Sequence, residues 1–155
     1  MSEFLYSVER EYPVSLDVLW DAWVSAEKLE QWYCGTEFAT VPQSVVSDAV
    51  VGGWWTIGID VAQFDFVAYF YGTYTEVAPQ SRLVHTMSYT QDADEFAARD
   101  LSAPHHTVTV DFEPRGDNAW VRFSQFGDLP EGEAPRAQAG MESYFDHLGK
   151  FLGLA

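Results

Sequence analysis

The chain opens with an alternating run: Phe4, Tyr6, Val8, Arg10 and Tyr12 fall on one face and Leu5, Ser7, Glu9 and Glu11 on the other. That period of two predicts a strand over Leu5–Tyr12, which Pro13 ends. The period then changes. Ser15 can cap a helix over Leu16–Val24 whose Leu16, Leu19, Trp20 and Trp23 recur at three-and-four spacing, and Ser25 can start a second short helix through Gln31. Tyr33–Ser47, with Gly35 and Pro42, is irregular. A strand is predicted at Trp54–Val61, a long β-favouring run at Val67–Val77, and a partner at Leu83–Tyr89 across the turn Ala78-Pro79-Gln80-Ser81. Gln91–Ala103 is acidic and turn-rich, a loop with one helical turn at Asp94–Arg99 that could act as a lid. His106–Glu113 and Ala119–Phe126 form another hairpin about Pro114-Arg115-Gly116-Asp117-Asn118. Ala137, Met141, Tyr144, Phe145, Leu148, Phe151 and Leu152 then give an apolar stripe of helical period over about Ala134–Leu152.

Strands outnumber helices, and the helices lie near the two ends. The pattern is α+β: an antiparallel sheet curving around one long C-terminal helix, with two short helices near the N-terminus. A length of 155 residues suits one domain over 1–155, and no linker, repeat or low-complexity tract interrupts it.

Alternation assigns faces to these strands. Trp55, Ile57 and Ile59, then Leu83, His85, Met87 and Tyr89, then Val108, Val110 and Phe112, then Val121, Phe123 and Gln125 are expected inward. In Val67–Thr75 the phase is ambiguous, because Tyr69 and Tyr71 alternate with Phe70 and a bulge would exchange the faces; Tyr69 and Tyr71 are taken as inward.

Four segments, in order, resemble the START-like (SRPBCC) superfamily, and in particular its branch similar to the activator of the heat-shock-protein-90 ATPase. They are Val18–Trp23 followed by Lys28-Leu29-Glu30-Gln31-Trp32-Tyr33; Val51-Gly52-Gly53-Trp54-Trp55; Gly72–Met87; and Val108–Arg122 followed by Gly140–Leu152. The resemblance spans about Val8 to Leu152 and implies the helix-grip, Bet v-like fold, in which the space between concave sheet and helix is often a ligand cavity. Two positions depart from the pattern. Cys34-Gly35 stands where the family often has Gly-Pro, and Gly140-Met141 where it often has Gly-Trp. Both fall at the expected pocket wall, so ligand identity does not carry over.

Composition narrows the function. Six Trp, eight Tyr and eleven Phe exceed what a small solid core requires; they either fill the interior, as rings do in many cores, or line a cavity. Twenty-four acidic residues against eight basic ones give a formal charge of -16, which repels nucleic-acid backbones and anionic lipid surfaces. No apolar run approaches the roughly 20 residues that span a bilayer. A single cysteine, Cys34, excludes an internal disulfide, and with no secretion signal at the start the expected compartment is the cytoplasm. His105 and His106 are expected to diverge on a strand, so no metal is expected there. No phosphate loop or nucleophile elbow is present, and no cofactor is expected. His147, near the end of the last helix, reads as solvated.

The leading expectation is therefore a binding module for a small apolar or aromatic molecule, with no catalytic residue assigned. Its candidate contacts are Trp32, Phe38, Trp55, Tyr69, Tyr71, His85, Met87, Phe112, Met141, Tyr144, Phe145 and Leu148. Relatives with the implied fold include polyketide cyclases and hydrolases, so acid–base work by His85 with pocket tyrosines is the alternative. A chaperone partner is implied by the namesake branch. A homodimer through the convex face or an edge strand is compatible with the pattern without being fixed by it.

Overall fold

The computed structural model describes residues 3–154. Strand β1 (Glu3–Tyr12) leads into α1 (Leu16–Val24) and α2 (Ala26–Trp32). The Ser15 hydroxyl accepts from the Val18 N–H. Ser25 ends α1 with its backbone and starts α2 with its side chain, which accepts from Lys28 N–H. One serine thus serves two helices, and the chain turns between them without a loop.

Two short strands follow, β2 (Ala39–Thr40) and β3 (Val46–Ser47), both pairing with β4 (Trp54–Val61). A 3-10 turn leads to β5 (Phe66–Ala78), then β6 (Arg82–Thr90), the short helix α3 (Ala93–Ala98), the hairpin β7 (His106–Arg115) and β8 (Asn118–Gly127), and finally α4 (Glu133–Phe151). All pairings are antiparallel, in the order β1-β8-β7-β6-β5-β4-β2. The sheet curves around α4. This is the helix-grip fold; each predicted element lies within a residue or two of its expected span, while β2 and β3 fall in the Tyr33–Ser47 segment expected to be irregular.

Two irregularities shape the sheet. Register shifts between Phe4 and Tyr6, and Phe4 is 60% exposed while Tyr6, Val8 and Tyr12 of the same alternating set are buried. Register shifts again between Tyr74 and Glu76, bending the thirteen-residue β5. Beside that bend β5 and β6 approach so closely that a Cβ on Gly72 would lie 2.0 Å from the Thr86 carbonyl oxygen, and Thr86 Oγ1 accepts from the Thr73 N–H.

The core is solid at the end closed by α1 and α2. Trp23 stands at its centre, with ring contacts to Trp32, Tyr33, Phe112, Phe123 and Phe145 at centroid distances of 4.8 to 6.5 Å. The Trp32 indole N–H donates to the Ala22 carbonyl at 2.8 Å. From α4, Phe145 and Leu148 complete this end, both fully buried. Arg10 holds α4 against β1. It lies 5.7 Å over the Phe145 ring and pairs with Asp146 at 2.7 Å and Glu142 at 3.2 Å.

Candidate functional site

The opposite end of the grip carries three open pockets that share Phe70 in their walls, two of them bounded by the N-terminal half of α4 and the third lying along β5 to β8 beyond it. The inner chamber, about 240 Å³, is bounded by Tyr6, Tyr33, Phe70, Met87, Phe123, Gln125, Met141 and Tyr144. A lateral chamber of about 480 Å³ runs past Met87 and Tyr89 to His105, His106 and Asp128. The third, about 670 Å³, opens outward between Phe38, Ile59, Val61 and Phe66 on one side and Leu129, Pro130, Arg136 and Tyr144 on the other. An apolar hollow with a few placed polar groups is the usual form of a small-molecule site.

The polar groups form one ordered series. The Tyr6 O–H donates to Gln125 Oε1 at 2.6 Å, and Gln125 Nε2 donates to His106 Nδ1 at 2.7 Å. His106 Nε2–H then donates to the Asp128 carbonyl at 3.0 Å. Gly127 is what lets the histidine ring lie there, since a Cβ at that position would fall 2.4 Å from His106 Cδ2. Burial raises the phenols of Tyr6, Tyr33 and Tyr144 well above their ordinary range, so all three remain O–H groups at any physiological pH.

The structure divides the twelve expected contacts into three groups. Phe38, Met87, Met141 and Tyr144 line the chambers. Trp32, Trp55, His85, Phe112, Phe145 and Leu148 are buried in the solid half and border none of them. The His85 ring lies on Trp55 with centroids 4.0 Å apart, and its Nδ1–H donates to the Thr86 carbonyl at 2.8 Å. Burial lowers its pKa to about 4. It is a neutral core histidine.

The third group corrects the phase of β5. Tyr69 and Tyr71 face the convex side, where Tyr69 stacks on Phe96 of α3 at 4.6 Å and the Tyr71 O–H donates to the Asp100 carbonyl at 3.2 Å. Phe66, Ala68 and Phe70 take the inner face instead. A tyrosine can bury its ring under a helix while its hydroxyl reaches the rim, whereas Phe has no such use for a rim. The same packing places the Gln91–Ala103 segment away from the cavity mouth where a lid would sit, because α3 lies on the outside of the sheet.

Two further expectations change. His105 precedes β7, so strand alternation does not govern it, and both His105 and His106 border the lateral chamber. No cluster of three or more His, Cys, Asp or Glu able to hold a metal occurs among the described residues. His147 is half-buried rather than solvated, its Nδ1–H donating to the Cys34 carbonyl at 3.1 Å with the thiol 3.5 Å away. That leaves Nδ1 unable to accept the thiol proton, and burial pushes Cys34 up to about 11. The pair is structural.

Sequence reasoning missed Phe70, Tyr6, Tyr33 and Gln125 as contacts. Gln125 was on a face expected inward and, a polar residue among inward apolar ones, was the available signal, whereas neither face of the first strand had been given a direction. Tyr33 lies just beyond α2, where no periodicity assigns a direction.

No helix among the described residues is long and apolar enough to cross a membrane. Known structures share the architecture. The AHSA1 protein of Silicibacter pomeroyi is 22% identical, with a TM-score of 0.78 and 96% of each chain covered. A protein of Chromobacterium violaceum is 17% identical, with a TM-score of 0.73 over 92% of this chain and 94% of that one. DynU16, a protein in the dynemicin biosynthetic locus, is 16% identical, with a TM-score of 0.69 over 95% of this chain and 46% of that one. At these identities the likeness is one of fold. No curated protein matches the chain by sequence. The family described as Activator of Hsp90 ATPase homolog 1-like protein matches residues 13–153, and the chain belongs to that family.

Proposed function

We propose that the chain is a small-molecule binding protein, acting as one domain over 1–155, that holds an apolar or aromatic ligand between α4 and the concave face of the sheet. The observation that carries this reading is the set of three pockets that share Phe70, two of them with mainly apolar walls and the lateral one lined by the polar Gln125, His105, His106 and Asp128, beside a prearranged Tyr6–Gln125–His106 series. Native mass spectrometry and thermal-shift screening against apolar and aromatic metabolites test it. A retained mass or a raised melting temperature that is lost in Phe70→Trp, which fills the junction, supports the reading. No shift with any compound, and no difference on filling the junction, overturns it.

A polyketide cyclase- or hydrolase-like activity is the second reading. The observation favouring it is His106, the one imidazole in the chamber wall with a defined hydrogen-bond partner on each nitrogen. Acid–base work would then fall to His106 and not to His85, which Trp55 covers. Turnover of a bound ligand that His106→Gln abolishes supports this, and turnover unchanged in that variant removes it. The namesake's chaperone contact is a third and weaker reading, since a shared fold does not carry a partner with it. A cytoplasmic location belongs to the leading reading and rests on the acidic composition and the lone thiol.

A further inference from the structure

A single backbone carbonyl sets the direction of the polar series that crosses the cavity wall. The Asp128 carbonyl can only accept, so the His106 Nε2 that lies 3.0 Å from it carries a hydrogen. In the neutral imidazole the other nitrogen, Nδ1, is then an acceptor, and Gln125 must turn its amide Nε2 toward it, at 2.7 Å. That leaves Gln125 Oε1 facing Tyr6, whose hydroxyl must donate, at 2.6 Å. Each bond dictates the next.

A proton on Nδ1 reverses that order. Both imidazole nitrogens are then donors, so Nδ1–H meets a Gln125 N–H and the contact fails until the amide turns over. The ring has little room to turn away instead. It lies flush on Gly127, where even a Cβ would come within 2.4 Å of His106 Cδ2, and its Nε2–H keeps the Asp128 carbonyl in both states. With the amide turned over, Oε1 accepts from His106 and Nε2 donates to Tyr6. Burial holds the Tyr6 phenol above its ordinary range, so the phenol keeps its hydrogen and must redirect it.

The placement of the three residues carries this change from one pocket to another. His106 borders the lateral pocket, Tyr6 the inner chamber, and Gln125 both. His106 is half-buried, so a proton reaches it from the lateral pocket without opening the core. The titratable groups that share this pocket are Tyr89 of β6, His105 ahead of β7 and Asp128 beyond β8; β5 presents Phe70, and α4 contributes no residue. From β1, Glu3 stands opposite Gly127 in register. The carboxylates of Asp128 and Glu3 favour a charged imidazole, and a protonated His105 opposes it.

We propose that His106 is a proton switch for the inner chamber: a proton taken up at the lateral pocket turns Gln125 over and redirects the Tyr6 hydroxyl hydrogen from Gln125 into the chamber. Imidazoles as a class change charge near pH 6.5, within the range that cells visit. The reversal needs no guest in the chamber, and so goes beyond the binding reading without resting on it.

Side-chain NMR of the wild-type protein, titrated from about pH 8 to about pH 5, tests the switch. At the upper end the expected signature is the Nε2–H tautomer of His106 with a scalar coupling across the hydrogen bond from Gln125 Nε2 to His106 Nδ1. At the lower end that coupling should be lost, a coupling from His106 Nδ1–H to Gln125 Cδ should replace it, and Tyr6 Cζ should shift with the His106 midpoint. In Gln125→Leu, His106 should still titrate while the Tyr6 shift vanishes. The proposal is overturned by an Nδ1–H tautomer at the upper end, by no titration of His106 within the range, by no coupling to Gln125 Cδ at the lower end, or by a Tyr6 shift that persists in Gln125→Leu. Should that variant fail to fold, the wild-type tautomer and couplings decide the question alone.

Discussion

The imidazole of His85 lies flat on the indole of Trp55, with ring centroids 4.0 Å apart and planes 22° from parallel, and Tyr74 meets it edge-on at 5.8 Å. The stack is buried, so the ring is held in its neutral form with a pKa lowered from 6.5 to about 4. The unfolded chain binds a proton near 6.5 and the folded one resists it until about 4, so acidification favours unfolding across that window. Above 6.5 His85 contributes no pH dependence. By pH 4 the loss reaches about 3 kcal/mol. The difference in unfolding free energy between wild type and His85→Phe, measured by denaturant titration from pH 7 to 4, should fall by that amount as pH drops. A constant difference would mean that the imidazole is solvated.

Gly72→Ala is expected to cost at least about 2 kcal/mol in the same assay, because the new methyl meets the Thr86 carbonyl and must push β5 and β6 apart at their bend. Unchanged stability would show that the two strands can part there without penalty.

Tyr69→Ala removes the platform on which Phe96 stacks. Amide exchange in Ala93–Ala98 should speed up by about tenfold or more as α3 loses its hold on the sheet. Ligand retention should not change, since the ring lies on the convex side. A loss of retention with α3 still protected would place Tyr69 in the cavity after all.

Cys34 should resist thiol reagents in the folded protein. Burial and a pKa pushed up to about 11 leave little thiolate at pH 7.5, and modification should run about a hundredfold or more below the rate in denaturant. Rapid native labelling would mean that the segment around Cys34 and Gly35 opens.

Removing bulk from the two halves of the interior should have unequal effects. Trp32→Ala takes away a fully buried ring and its hydrogen bond to Ala22, at about 3–5 kcal/mol. Tyr144→Phe removes a hydroxyl with no hydrogen-bond partner among the described residues and should cost less than about 1 kcal/mol. Comparable losses in thermal or chemical denaturation would indicate that the hollow half is as tightly knit as the solid one.

Much of this frame was legible in the residues. Ser15 and Ser25 mark both early helices, Pro13 ends the first strand, and the Met141–Leu148 stripe fixes which side of α4 faces the sheet. What escaped was the boundary between filled and empty interior. Trp32, Phe112 and Phe38 are all large inward rings, and only the first two are covered by α1 and α2; alternation tells which face a side chain takes but not whether another ring reaches it first. The phase of β5 failed for a related reason. Tyr69, Phe70 and Tyr71 have similar apolar bulk, and what separates them is the covering of the outer face by α3, a contact from another part of the chain.

The junction at Phe70 has a consequence for how such a chain can diversify. Phe70 and Met87 meet there outside the ring cluster around Trp23, which borders the inner chamber through Tyr33 and Phe123. Substitutions at the open end can therefore accumulate, reshaping what fits, without eroding the margin that keeps the chain folded. Cargo and scaffold are free to evolve at different speeds.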